Sequence, residues 1–163
     1  MAAAADRPKR GRYDSFCAYR RERPGFCGAV RRAGRATERA GRRRENRAAY
    51  IPLNRTDDVR TVVLAYDGEQ PAGGGGLRRL DAGCAEVKRL FVRPACRGRG
   101  IAAQVMALLE RAARAQGCRR LVLETGETLA AAMALYRKLG YRVIPNYGPY
   151  RGMDDSICMQ KDL

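Results

Sequence analysis

Apolar and polar positions fall into a readable order only after residue 60. Thr61 to Tyr66 (TVVLAY) predicts a strand, and Asp67-Gly68 begins a tight turn. Ala72 to Leu80 (AGGGGLRRL) predicts a second strand despite its four glycines, which point to a close backbone approach or a bulge. Asp81-Ala82-Gly83 turns the chain into a third strand at Cys84, with Glu86 to Arg93 mixing polar and apolar residues at strand spacing. From Ile101 the period changes. Ile101, Val105, Leu108, Leu109 and Ala112 lie on one face of a helix, and Gly117 stands where that helix ends. Arg120 to Glu124 (RLVLE) predicts a strand, and Leu129 to Leu139 (LAAAMALYRKL) a second helix closed by Gly140. Tyr141–Tyr147 and Ser156–Gln160 read as a closing hairpin whose long connection, GPYRGMDD, is functional or mobile. Short turns make the first three strands antiparallel, whereas the strand–helix–strand that follows implies a right-handed crossover with parallel pairing. No strand is legible before Thr61.

Between the third strand and the first helix lies Arg97-Gly98-Arg99-Gly100. The first N–H groups of a helix have no internal partner, and the helix dipole adds roughly half a positive charge there. Gly98 and Gly100 let the backbone come close to a bulky anion, and Arg93, Arg97 and Arg99 surround it with fixed charge. The arrangement favours a diphosphate. An ordinary turn with solvated arginines is the plainer alternative, but the segment Arg97-x-x-Gly100-x-Ala102 resembles the Q/R-x-x-G-x-G/A signature of the GNAT superfamily of N-acetyltransferases. The similarity extends over residues 58–163 and is densest in EVKRLFVRPACRGRGIA, LVLETG, ALYRKLGYRVIPNYGPY and SICMQKDL. Those last segments resemble a bacterial subfamily of small acetyltransferases.

The resemblance implies an α/β (α+β) GNAT fold: a mixed, mostly antiparallel sheet with helices on both faces and a splayed parallel strand pair. It also implies acetyl-CoA as co-substrate, with no metal. Backbone groups of Leu90, Phe91 and Val92 are then expected along the pantetheine arm and acetyl carbonyl. Arg97, Gly98, Arg99, Gly100, Ile101 and Ala102 are expected at the pyrophosphate. Tyr136 matches the tyrosine with which many relatives protonate the departing thiolate; a core aromatic with a satisfied hydroxyl is the structural alternative. Glu86, eleven residues before Arg97, resembles the catalytic base of the histone-acetylating branch; a carboxylate paired with a neighbouring arginine or with Lys88 is its alternative. Glu124, at the end of its strand, is a candidate for a second base or for a residue that simply holds the substrate. One departure is Leu129, where many relatives carry a cofactor-contacting Asn or Gln.

Charge changes the reading of the first fifty residues. The chain has 33 Lys and Arg against 17 Asp and Glu, a net charge of +16, and residues 1–50 account for +10 of it. RRAGRATERAGRRRENRAAY offers mostly alanines to a buried helix face, so residues 1–50 are expected as an Arg-rich, partly disordered segment or degenerate helices ahead of a domain at 51–163. Clustered arginines would also suit nucleic acid, although no interleaved aromatics supply a stacking platform. The six cysteines show no C-x-x-C and the chain has no His, so reduced thiols are expected, with Cys96 beside the loop as the one to test for reactivity. No stretch has the length and apolarity of a membrane span, and MAAAADRPKRGRY lacks the apolar run of a secretory signal, although it is compatible with an organelle transit peptide. The expected activity is acetyl transfer to a primary amine (a small molecule, amino acid or protein amine) by direct attack in a ternary complex in the cytoplasm, with a homodimer compatible. The rivals are a catalytically idle acetyl-CoA sensor and a nucleic-acid-binding protein acting through its basic arm.

Overall fold

The computed structural model describes residues 15–20, as backbone, together with 50, 52–54, 57–126 and 129–163. Seven strands make one sheet: β1 (Ser15–Arg20), β2 (Val59–Asp67), β3 (Gln70–Arg79), β4 (Cys84–Val92), β5 (Arg120–Gly126), β6 (Arg142–Ile144) and β7 (Ser156–Asp162). Their order across the sheet is β1-β2-β3-β4-β5-β7-β6. Only β4 and β5 run parallel; the other neighbours are antiparallel. Helix α1 (Ile101–Ala115) makes the crossover between the parallel pair, and α2 (Ala130–Lys138) follows β5. The expected mixed sheet and its parallel pair are therefore present.

One strand stands where the sequence shows none. Ser15–Arg20 pairs antiparallel with β2, from Ser15 opposite Tyr66 to Arg20 opposite Thr61. The boundary expected at residue 50 thus does not separate the sheet from the chain before it. The faint helices and basic arm expected within residues 1–50 lie outside the described residues, apart from Ser15–Arg20 and Tyr50.

The larger core lies between α1, α2 and one face of the sheet. Val63, Ala65, Leu77, Ala85, Val87, Leu121, Leu123 and Met159 meet Ile101, Val105, Met106, Leu109, Met133 and Tyr136 there. Residues 101, 105, 109 and 113 of α1 are buried with Met106 and Glu110, while Leu108 and Ala112 flank that stripe half-buried. Glu110 takes two bonds from Lys161 Nζ, at 2.9 and 2.8 Å, which ties the helix to β7. The glycines of β3 are where backbones approach. A Cβ on Gly75 would lie 3.1 Å from Leu109 Cδ1, and one on Gly73 only 2.6 Å from the Phe91 carbonyl oxygen.

The bulge is on the neighbouring strand. Gly76 faces Lys88 and Gly74 faces Phe91, so Arg89 and Leu90 both oppose Gly75. Arg89 takes the left-handed conformation, φ 59°, at this bulge. The inserted residue shifts the alternation by one. Ala85 and Val87 pack on the core before it, and Leu90 and Val92 do so after it, where unbroken alternation would have sent Arg89 and Phe91.

Candidate active site

β4 and β5 are paired from Cys84–Arg120 to Val87–Leu123 and no further. β4 continues to Val92 and β5 to Gly126, so the two strands part just after Val87. The bulge at Arg89 lies at that parting. Beyond it, Phe91 and Val92 still pair with Gly74 and Gly73 on β3. The edge of β4 toward β5 is left with backbone groups that β5 does not take up, and Leu90, Phe91 and Val92 border the resulting gap.

The glycine loop stands at the end of the same strand. Pro94–Cys96 form one short helical turn, and Arg97 Nε donates to the Val92 carbonyl at 3.2 Å. Gly98 and Gly100 have φ of 75° and 79°, which turns the chain sharply into α1. Gly100 is the N-cap and provides no side-chain cap to the N–H groups of Ile101 and Ala102. A Cβ there would find nothing nearer than Gln104 Nε2 at 4.0 Å, so the space above the loop is open. Arg99 is turned away from it, donating to both Asp67 carboxylate oxygens at 2.6 and 3.2 Å. That pair offsets the Asp67 charge at the end of β2 and holds the Asp67 carboxyl below its usual range. The backbone of the loop is therefore open to an approaching anion. Cys96, whose thiol the sequence singles out, is buried in the main core.

Tyr136 points from α2 into the core, 6% exposed, with its ring tilted against Tyr141 at 5.9 Å. Burial, reinforced by the charge of Glu124, raises its pKa, so the phenol keeps its proton at neutral pH. Leu129 is the N-cap of α2 and gives no side-chain cap.

Glu86 is fully buried on the face opposite α1 and carries a dense set of partners. Arg78, its cross-strand neighbour on β3, donates to Oε2 through Nε at 2.8 Å and also through Nη2. The hydroxyls of Tyr147 and Tyr150 both donate to Oε1 at 2.9 Å. Lys88 Nζ lies 3.6 Å from Oε1 and donates to the Tyr150 hydroxyl at 2.8 Å. Burial lowers the pKa of Lys88, an effect that the Glu86 charge opposes. Burial first, and then Glu86, keeps both tyrosines protonated. The β6–β7 connection, from which both tyrosines come, is thereby fastened across the sheet. Asn146 Nδ2 also bonds the carbonyls of Met153 and Ser156, each at 3.1 Å.

Glu124 is the first residue of β5 beyond the paired stretch and is half-buried. Ser156 Oγ bonds its Oε1 at 2.8 Å, and Tyr50 Oη bonds Ser156 Oγ at 2.7 Å. Sequence reasoning names neither Ser156 nor Tyr50 nor the tyrosines at 147 and 150 as site residues. A signal for the last two was present: Tyr147-Gly148-Pro149-Tyr150 places paired aromatics in a long connection.

Residues 14–141 match the model of the acetyltransferase (GNAT) family. The chain is 38% identical over 106 residues to an IAA acetyltransferase of Azospirillum brasilense, covering 65% of this chain and 69% of that protein. It is 31% identical over 105 residues to the uncharacterized N-acetyltransferase YsnE of Bacillus subtilis, covering 63% and 70%. The fold is similar to that of PaiA N-acetyltransferase from Thermoplasma acidophilum, solved with coenzyme A, at a TM-score of 0.68 and 16% identity, over 91% of this chain and 99% of that one. Among the described residues no helix is long and apolar enough to cross a membrane.

Proposed function

Because the chain belongs to the acetyltransferase (GNAT) family, we propose that it moves the acetyl group of acetyl-CoA to a primary amine by direct attack in a ternary complex. One observation carries this reading: the parting of β4 from β5 beside a helix N-terminus with no side-chain cap. An extended arm bearing amide groups can bond the open edge of β4 much as an added strand would. The diphosphate joined to that arm then meets the backbone N–H groups at the start of α1, with the backbone of Arg97 to Ala102 around it.

In the transfer the amine nitrogen bonds to the thioester carbon and the carbon–sulfur bond breaks. The thiolate leaves with the electron pair and takes one proton. The acceptor arrives as an ammonium and loses two, so one proton is released overall. Tyr136 suits the donor role, because burial keeps its hydroxyl protonated. Glu86 is poorly placed to act as a base, since it is fully buried and both of its oxygens already hold donors. The four described cysteines are all buried, which favours direct attack over a thiol-bound acyl group.

The test is coenzyme A release from acetyl-CoA across a panel of small amines, amino acids and lysine peptides, with thermal unfolding measured alongside. At a hundredfold excess over its Kd, acetyl-CoA should stabilise the fold by about 2.7 kcal/mol. At least one amine should raise release above background. Stabilisation without release by any amine would favour a sensor, and no stabilisation would overturn the reading.

A further inference from the structure

Two carboxylates lie on the sheet face opposite α1, and they are not equivalent. By strand alternation Glu86 on β4 and Glu124 on β5 share that face, since Ala85, Val87, Leu121 and Leu123 pack on the α1 side. Glu86 precedes the parting of the strands, and it is enclosed. Arg78, Tyr147 and Tyr150 donate to it, Lys88 stands at 3.6 Å, and no part of it is exposed. Glu124 follows the last paired residue, Leu123, and is half-buried at the mouth of the gap. Its orientation is fixed by the Ser156 hydroxyl, itself held by Tyr50.

We propose that Glu124 receives the acceptor's ammonium at the mouth of the gap, and that Glu86 serves instead as a positioning residue that fastens the β6–β7 connection beside it. The inference rests on the acetyl-CoA reading above. Two observations support it. A cation is attracted to a carboxylate it can reach, and Glu124 is the one of the pair with exposed surface. Glu124 is also near enough for its charge to bear on Tyr136, the proton donor proposed for the thiolate. The tyrosines at 147 and 150 then form a wall whose position depends on Glu86. Their rings meet edge to face at 5.4 Å.

The test needs no knowledge of the natural acceptor. S-(2-aminoethyl)-CoA carries an ammonium just beyond the sulfur, and S-propyl-CoA is its neutral counterpart of the same length. Calorimetric titration of the full chain should show the cationic conjugate binding about tenfold more tightly. Glu124→Gln should remove that preference and leave S-propyl-CoA affinity unchanged. Glu86→Gln should keep the preference. Should that variant not fold, Tyr147→Phe removes one donor from Glu86 and should likewise keep it. Absence of the preference in the unaltered chain, or its survival in Glu124→Gln, would overturn the assignment. Loss of the preference in a folded Glu86→Gln or in Tyr147→Phe would do the same. Failure of both conjugates to bind the unaltered chain would instead count against the acetyl-CoA reading itself.

Discussion

Two glycine-rich stretches of this chain solve opposite problems. Gly73 to Gly76 on β3 are glycines because there is no room: a Cβ on Gly74 would lie 2.7 Å from the Val63 carbonyl oxygen and 2.9 Å from Leu64 Cδ2. Gly98 and Gly100 are glycines because the chain must turn through positive φ while the space above it stays empty. The first stretch lets β3 lie between close neighbours and beneath α1, and so belongs to stability. The second keeps a helix terminus accessible to an anion, and in the proposed reading it serves binding. Composition alone cannot separate them, but substitution can.

Gly74→Ala should have the largest effect. Its Cβ meets a backbone oxygen that cannot swing aside, so the fold should lose on the order of 3 kcal/mol, measured by denaturant unfolding. A loss below about 0.5 kcal/mol would mean that β3 can shift, and that the crowding is not what selects glycine. Gly100→Val comes next, with two separable consequences. Left-handed backbone with a side chain should cost about 1–2 kcal/mol of stability, and a branched side chain over the loop should weaken acetyl-CoA at least tenfold, about 1.4 kcal/mol. Unchanged affinity would remove the loop from the binding site. Gly68→Ala, at the β2–β3 turn, isolates the conformational cost, since φ is 59° and nothing lies within 4 Å. About 1 kcal/mol of stability should be lost with acetyl-CoA affinity untouched. A drop in affinity there would show that the turn, which carries the Asp67–Arg99 pair, shapes the loop.

The sheet from β2 onward, both helices and the glycine loop were legible because each has a period or a turn residue that states it. What escaped depended on partners distant in sequence. The bulge did leave a trace: in Glu86-Val87-Lys88-Arg89-Leu90-Phe91-Val92 the apolar positions change parity across Lys88-Arg89, and the slip is the extra residue at Arg89. The glycines of β3 pointed correctly to close approach, although the inserted residue sits on the strand opposite. Glu86 could be narrowed to base or ion pair, and its Arg78 partner follows from strand register. Tyr147 and Tyr150 stand out as paired aromatics in a long connection, but their contact with Glu86 spans 61 and 64 residues and no local pattern states it. β1 is six residues, SFCAYR, inside an Arg-rich stretch, and its evidence is the pairing with β2 rather than its own pattern.

The central claim is that the gap is a place of acetyl transfer rather than of acetyl-CoA storage, and Tyr136→Phe tests it most directly. The substitution keeps the ring that packs on Tyr141 and removes only the hydroxyl. With an amine that supports coenzyme A release, kcat should fall about 10²-fold while the Kd for acetyl-CoA stays within about twofold. An unchanged kcat, whether or not the melting temperature moved, would contradict the account and leave Tyr136 as core packing alone.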